Sequence, residues 1–292
     1  MQSVKIAKYE RGMKMFSLIL GILGSSMLSI FMRLSEKRVT NNIAMLAMNY
    51  LSCTILGGIY ALGNPVENLS SQLPATLGMG MINGVFYLSS LMIFQTGVRR
   101  SGVVLSAIFM KLGLLVAMLV AICFYGELPT AVQAVGFVLA LVAILLINYR
   151  KDDRKGTFGW SMILLLVLSG MASAMSKIFE QSGMTGMGDW FLFFTFATAL
   201  PLALIVMVRR GERIGKWEIL FGAAVGIPNF FSSKLLLMAL QTIPAVVAYP
   251  VYDVSVILVV TLAGVVLFRE RLTKQQLIGL GLILGALALL NL

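Results

Sequence analysis

The chain has no histidine and only 2 cysteines among its 292 residues. Without histidine there is no imidazole acid–base chemistry, and the commonest transition-metal ligand is missing too. No Cys-x-x-Cys pair or aspartate-rich loop replaces it, so neither a metal nor a cofactor is expected. Cys53 lies inside an apolar run and Cys123 at the end of another, without local partners, and both read as buried thiols acting as small apolar side chains. Charge is scarce as well. Only 12% of residues are Asp, Glu, Lys or Arg, where soluble globular chains carry about a quarter. The longest polar stretches, Met1 to Lys14 and Tyr149 to Thr157, are too short to bury a core of their own. No P-loop pattern is present, so ATP-driven chemistry by this chain alone is not expected.

What the chain has in quantity is apolar length. Hydrophobic residues make up 59% and the mean hydropathy is +0.94. The charges fall in short gaps between ten runs: Met15 to Met32, Ile43 to Leu62, Pro74 to Val98, Ser101 to Tyr125, Thr130 to Asn148, Phe158 to Phe179, Asp189 to Val208, Trp217 to Gln241, Ala245 to Phe268 and Thr273 to Leu290. At about 1.5 Å per residue such runs span the ~30 Å hydrocarbon layer as helices. None keeps the period-two alternation of a barrel strand. The expected fold class is an all-α membrane protein with ten transmembrane helices, multi-pass in the cell (cytoplasmic) membrane. Pro74, Pro129 and Pro244 stand at expected helix starts, where a missing amide hydrogen costs least. Pro201, Pro228 and Pro250 lie inside runs and predict kinks that free carbonyls. Trp160, Trp190 and Trp217 sit near run ends, as interfacial residues do.

The chain repeats itself. An offset of 143 residues lays the fifth run on the tenth, matching Glu127 with Glu270, Thr130 with Thr273, Gln133 with Gln276, Gly136 with Gly279 and Asn148 with Asn291. With four apolar identities that makes nine matches, where apolar bias alone gives roughly two or three. The first run meets the sixth at offset 144, pairing Ser25 with Ser169, Ser29 with Ser173, Arg33 with Lys177 and Glu36 with Glu180. The first run is therefore read as structural rather than as a signal peptide. The expected organisation is a tail over 1–14, a first five-helix repeat over 15–149, a linker over 150–157 and a second repeat over 158–292. Five helices is an odd number, so the halves take opposite orientations in the bilayer. That is the inverted-repeat plan of many secondary transporters, with the substrate near the midplane.

Orientation follows from charge. The odd-numbered gaps hold Arg33, Lys37, Arg38, Arg99, Arg100, Arg150, Lys151, Arg154, Lys155, Arg209, Arg210, Arg213, Lys216, Arg269, Arg271 and Lys274. The even gaps hold Glu67, Glu127, Glu180 and Asp189, with Lys177 at their margin. By the positive-inside rule the odd gaps are cytoplasmic and the termini outside, although Lys5, Lys8, Arg11 and Lys14 oppose this. Scattered basic residues at helix ends suit anionic lipid head groups, and nucleic acid is not an expected partner.

The segment Leu267-Phe-Arg-Glu-Arg-Leu-Thr273, followed by Gln276, Gly279 and Gly285, resembles the end of an EamA-type repeat of the drug/metabolite transporter superfamily. Phe124-Tyr-Gly-Glu-Leu-Pro-Thr130 with Gln133 and Gly136 has the same form. Ala239-Leu240, Pro250, Arg33 and Lys177 also resemble that family. The resemblance spans nearly the whole chain and implies a non-enzymatic transporter of small molecules. Some relatives carry a coupling glutamate within the first helix; none lies between Met15 and Met32 here. Family members usually keep their termini in the cytoplasm, against the charge count.

Ionisable groups at membrane depth are costly and mark pathways. Lys234 and Asp253 flank the turn near Thr242 at similar distances, so on an antiparallel hairpin they are expected to form an ion pair within about 4 to 6 Å. Lys111 stands near the middle of the fourth run and is a candidate for proton coupling or carboxylate binding. Asn83, Tyr87, Ser89, Asn229, Ser233, Tyr249 and Tyr252 complete the candidate cavity lining. For any single hydroxyl, packing between helices is the competing reading. Glu127 and Glu270 read as caps of the fifth and tenth helices.

The expected function is secondary active transport of a small metabolite by alternating access. Two lysines against one aspartate favour an amino acid or another zwitterionic or anionic solute. Membrane lipids and a coupling proton or ion are the other expected partners. A flippase for a lipid-linked sugar fits the same fold. A membrane-embedded enzyme using Ser106 and Lys111 is a more distant alternative, because their spacing does not ensure hydrogen-bond reach.

Overall fold

The structure is a computed structural model and describes residues 2–36, 38–101, 109, 110, 112–148, 160–184, 186–269 and 274–290. Among these, regular structure is helical throughout: α1 (Gln2–Ser35), α2 (Asn42–Gly63), α3 (Leu69–Ser101), α4 (Leu114–Tyr125), α5 (Ala131–Asn148), α6 (Trp160–Gln181), α7 (Gly188–Arg209), α8 (Lys216–Leu240), α9 (Ala245–Phe268) and α10 (Lys274–Leu290). Apart from the fourth run, part of which lies outside the described residues, the helices follow the apolar runs closely, with two exceptions. Residues 2–14, expected as a tail, continue α1 as helix. Pro74, expected at a helix start, lies inside α3.

The expectation of ten spans is met in part. Among the described residues, seven helices are long and apolar enough to cross a bilayer: 16–35, 42–63, 69–94, 160–181, 188–209, 216–240 and 245–267. Leu114–Tyr125, Ala131–Leu146 and Leu277–Leu290 are shorter apolar helices among the described residues. Ile55, Ile59, Val135, Val138, Leu277 and Ile278 point outward and are exposed, an arrangement that suits hydrocarbon contact rather than water.

Local chemistry ends the helices where the sequence turns polar or glycine-bearing. Gly126 closes α4 in the left-handed region, with φ +65, a conformation glycine adopts without steric cost. Thr130 and Gln133 form a reciprocal capping box at α5, with side chain to amide distances of 3.1 and 3.2 Å. Serine and threonine hydroxyls within the helices donate back to carbonyls four residues earlier, as Ser26, Thr54, Thr195 and Thr261 do. That satisfies them where no water is available.

The chain divides into two compact units, Met1–Leu88 with Ile178–Thr242, and Ser89–Lys177 with Ile243–Leu292. In the first, α1 packs on α8, and α2 packs on α7 and α8. Tyr50, Phe191, Phe196 and Phe230 are fully buried there. Gly222 and Gly226 let α8 approach α2: a methyl group at Gly226 would lie 2.7 Å from both the Asn49 carbonyl oxygen and Ser52 Cβ. This is the small-residue spacing that brings membrane helices together. Two carboxylates hold the start of α2. Glu212 accepts the Ile43 and Ala44 amides at 2.8 and 3.1 Å, and Glu218 accepts those of Thr40 and Asn41 at 3.3 and 3.2 Å.

In the second unit α5 packs along α10, and α9 contacts α4, α5 and α10. Ile144, Met162, Leu165 and Ile283 are fully buried. Lys177, 2% exposed, pairs with Glu127 at 2.7 Å. The other Glu127 oxygen accepts the Ala245 amide at 2.6 Å. Glu127 thus caps the start of α9, not the fifth helix it was expected to cap. Thr130 performs that task.

Candidate functional site

The first unit contains a cavity of about 440 Å³ at the end of the bundle where α6 and α8 finish and α7 begins. Its wall combines apolar side chains (Phe179, Leu192, Leu237, Met238) with Glu180, Asp189, Lys234 and Gln241. Glycines at 183, 186 and 188 also line it. Gly183 and Gly186 take positive φ, +74 and +81, so the α6–α7 connection turns tightly at residues without side chains to fill the space.

Lys234 is the centre of the arrangement. Its Nζ donates to Asp189 Oδ1 at 2.6 Å and stands 3.8 Å from the centre of the Tyr60 ring. The other Asp189 oxygen accepts from the Asn64 side-chain Nδ2 at 2.9 Å. Tyr60 is itself fixed, stacked on Phe230 at 5.6 Å and edge-on to Phe231 at 6.0 Å. The ion pair is partly reached by solvent, with side chains 20% and 15% exposed. A charged hydrogen bond of this kind is stronger than a neutral one, and its partial exposure keeps both groups available to a ligand in the cavity.

Lys234 was expected to face Asp253. Within the first unit its ammonium holds Asp189. Lys234 is six residues from the end of α8 and Asp189 is the second residue of α7, so the long lysine stem carries its charge outward along α8 to the helix ends. Asp253 belongs to the second unit, as do Ser89, Tyr249 and Tyr252. Lys111 lies outside the described residues. Tyr249 is 4% exposed and its hydroxyl donates to the Ser173 carbonyl at 2.6 Å.

Asn83, Tyr87, Asn229 and Ser233 lie in the first unit with Lys234. Asn229 donates to Asn49 at 3.2 Å, and the Cys53 thiol donates to the Gly226 carbonyl at 3.2 Å. These contacts join α2 to α8. Asn83 donates to Thr195 at 3.3 Å, joining α3 to α7. The Tyr87 ring is edge-on to Phe196 at 6.0 Å, and its hydroxyl has a hydrogen bond with Ser233. None of the four lines the cavity.

Asp189, Tyr60, Asn64 and Glu180 were missing from the sequence-derived site. Asp189 and Glu180 had been counted with the acids of the even gaps, as ordinary helix-end charges. The signal that would have found them is register. Asn64, Asp189 and the end of α8 all belong to even gaps and so meet at one end of the bundle.

Residues 13–149 and 160–292 each match the family model described as "EamA-like transporter family". The chain is 22% identical over 287 residues to an uncharacterized protein of Haemophilus influenzae, covering 94% of this chain and 96% of that protein. A protein crystal structure at 16% identity matches with a TM-score of 0.74 over 95% of this chain and 96% of that one, a likeness of fold.

Proposed function

We propose, since the chain belongs to the EamA-like transporter family, that it is a secondary active transporter of a small zwitterionic solute, amino acids foremost. Family membership establishes a multi-pass membrane protein of a small-solute transporter family. The solute class rests on one observation: Lys234, Asp189 and Glu180 line one cavity of about 440 Å³. One ammonium and two carboxylates within an otherwise apolar wall complement a molecule that carries both signs. A net anion meets two carboxylates there, which narrows the expectation of zwitterionic or anionic solutes to the zwitterions. Two repeats of five helices, by their odd number, support alternating access by rocking. The cavity lies at the even-gap end, which the positive-inside rule assigns to the outer face.

The test is uptake. Proteoliposomes containing the purified chain are exposed to a mixture of small metabolites, and their contents are read by mass spectrometry against protein-free vesicles. Enrichment of zwitterions is the expected result. Enrichment confined to anions or neutral sugars would overturn the solute class, and no enrichment under any imposed ion gradient would overturn transport.

A further inference from the structure

We propose that the corner formed by Asp189 and Tyr60 is an ammonium-binding cage, that Lys234 fills it as a tethered competitor, and that an ammonium-bearing solute enters by displacing Lys234. This rests on the reading of the same cavity as a substrate site and specifies how that site opens. Three observations carry it. A carboxylate at 2.6 Å and a ring face at 3.8 Å surround one side of the Lys234 ammonium, the combination that recognises organic cations. The cage walls are held in place without Lys234, since Asn64 binds Asp189 and two phenylalanines fix Tyr60. The cavity borders Lys234, Asp189 and Glu180 alike, so a solute has room to approach and the displaced lysine has room to move.

The exchange is chemically balanced for a zwitterion. Its ammonium takes the Asp189 and Tyr60 positions, while its carboxylate takes the released Lys234. The number of ion pairs rises by one and no charge is stranded. A net cation fills the cage but leaves Lys234 without a carboxylate, and a net anion finds Lys234 already engaged. A lysine stem suits this role because its four rotatable carbons move a compact point charge over a short distance.

The test uses the full-length chain in micelles with tetramethylammonium chloride as probe, against potassium chloride at the same ionic strength. Reductive methylation of each lysine is followed by peptide mass spectrometry. A Lys234 ammonium caged about nine-tenths of the time reacts about tenfold more slowly than a released one. Tetramethylammonium is expected to raise the Lys234 rate towards that limit while leaving the exposed Lys274 unchanged. Asp189→Asn is expected to react fast at Lys234 without the probe. In a second arm the probe is expected to raise the melting temperature of Lys234→Met but not that of Lys234→Met with Asp189→Asn. A wild-type Lys234 rate equal in the two salts overturns the proposal, and so does equal stabilisation of the single and double variants. Neither readout involves transport. A chain that transports zwitterions without this response retains the transporter reading and loses the cage, and one that shows the response without transport does the reverse.

Discussion

Lys177 and Lys234 each stand one to two turns before the end of a helix, and their surroundings give them different roles. Lys177 is 2% exposed and bound to Glu127, whose second oxygen is committed to the start of α9. The lysine of that bridge is closed to solvent, and its carboxylate is already shared between two partners. Lys177→Met therefore strands a carboxylate and is expected to cost about 3–5 kcal/mol, with Lys177→Met plus Glu127→Gln recovering much of it. Unfolding of the purified variants in mixed micelles measures both. Lys234 is 20% exposed at a cavity, and Asp189 keeps Asn64 when the lysine is lost. Lys234→Met is expected to unfold less easily than Lys177→Met yet to lose transport at least about tenfold, since it removes a binding charge rather than a buried bridge. At this scale the sequence marked Lys234 as a charge inside an apolar run, and the structure gives it Asp189 as a partner. A charge inside an apolar run is visible in a sequence; the direction in which its stem snorkels is a tertiary fact. Glu127 was misassigned for a related reason. The left-handed turn at Gly126 precedes it, and its carboxylate reaches the start of α9 rather than that of the helix it precedes in the chain.

Helix positions were legible because hydrocarbon imposes length and composition together, and the ends of α2, α7 and α9 fall within a residue or so of their apolar runs. The ends of α5 and α10 match their runs to a residue as well. The devices joining elements were less visible. Glycine 222 and glycine 226 are two among 28; only the approach of α8 to α2 singles them out. Gly226→Val is expected to destabilise the first unit by about 1–3 kcal/mol through overpacking against Asn49 and Ser52, read as earlier unfolding in a micelle titration. Glu212→Ala removes the acceptor of two α2 amides and is expected to cost about 0.5–2 kcal/mol in the same measurement.

Across the whole molecule, the internal duplication was the most informative feature of the sequence, and the family match over 13–149 and 160–292 follows its two halves. Each compact unit draws helices from both halves, which no reading of consecutive segments anticipates. Helices equivalent by the repeat, α2 with α7 and α5 with α10, pack directly on each other, as a two-fold relation between the halves produces. Orientation remains a matter of charge. Cysteines placed at 150–155 on a Cys123→Ser background are expected to resist membrane-impermeant thiol reagents in intact cells, and rapid labelling there would reverse the assignment. The most direct measurement compares uptake into proteoliposomes by the wild-type chain and by Asp189→Asn at equal protein content. A zwitterion accumulated by the wild type and held at the protein-free level by Asp189→Asn is the expected outcome. Equal accumulation by both proteins would mean that the Lys234 cavity is not the transport site.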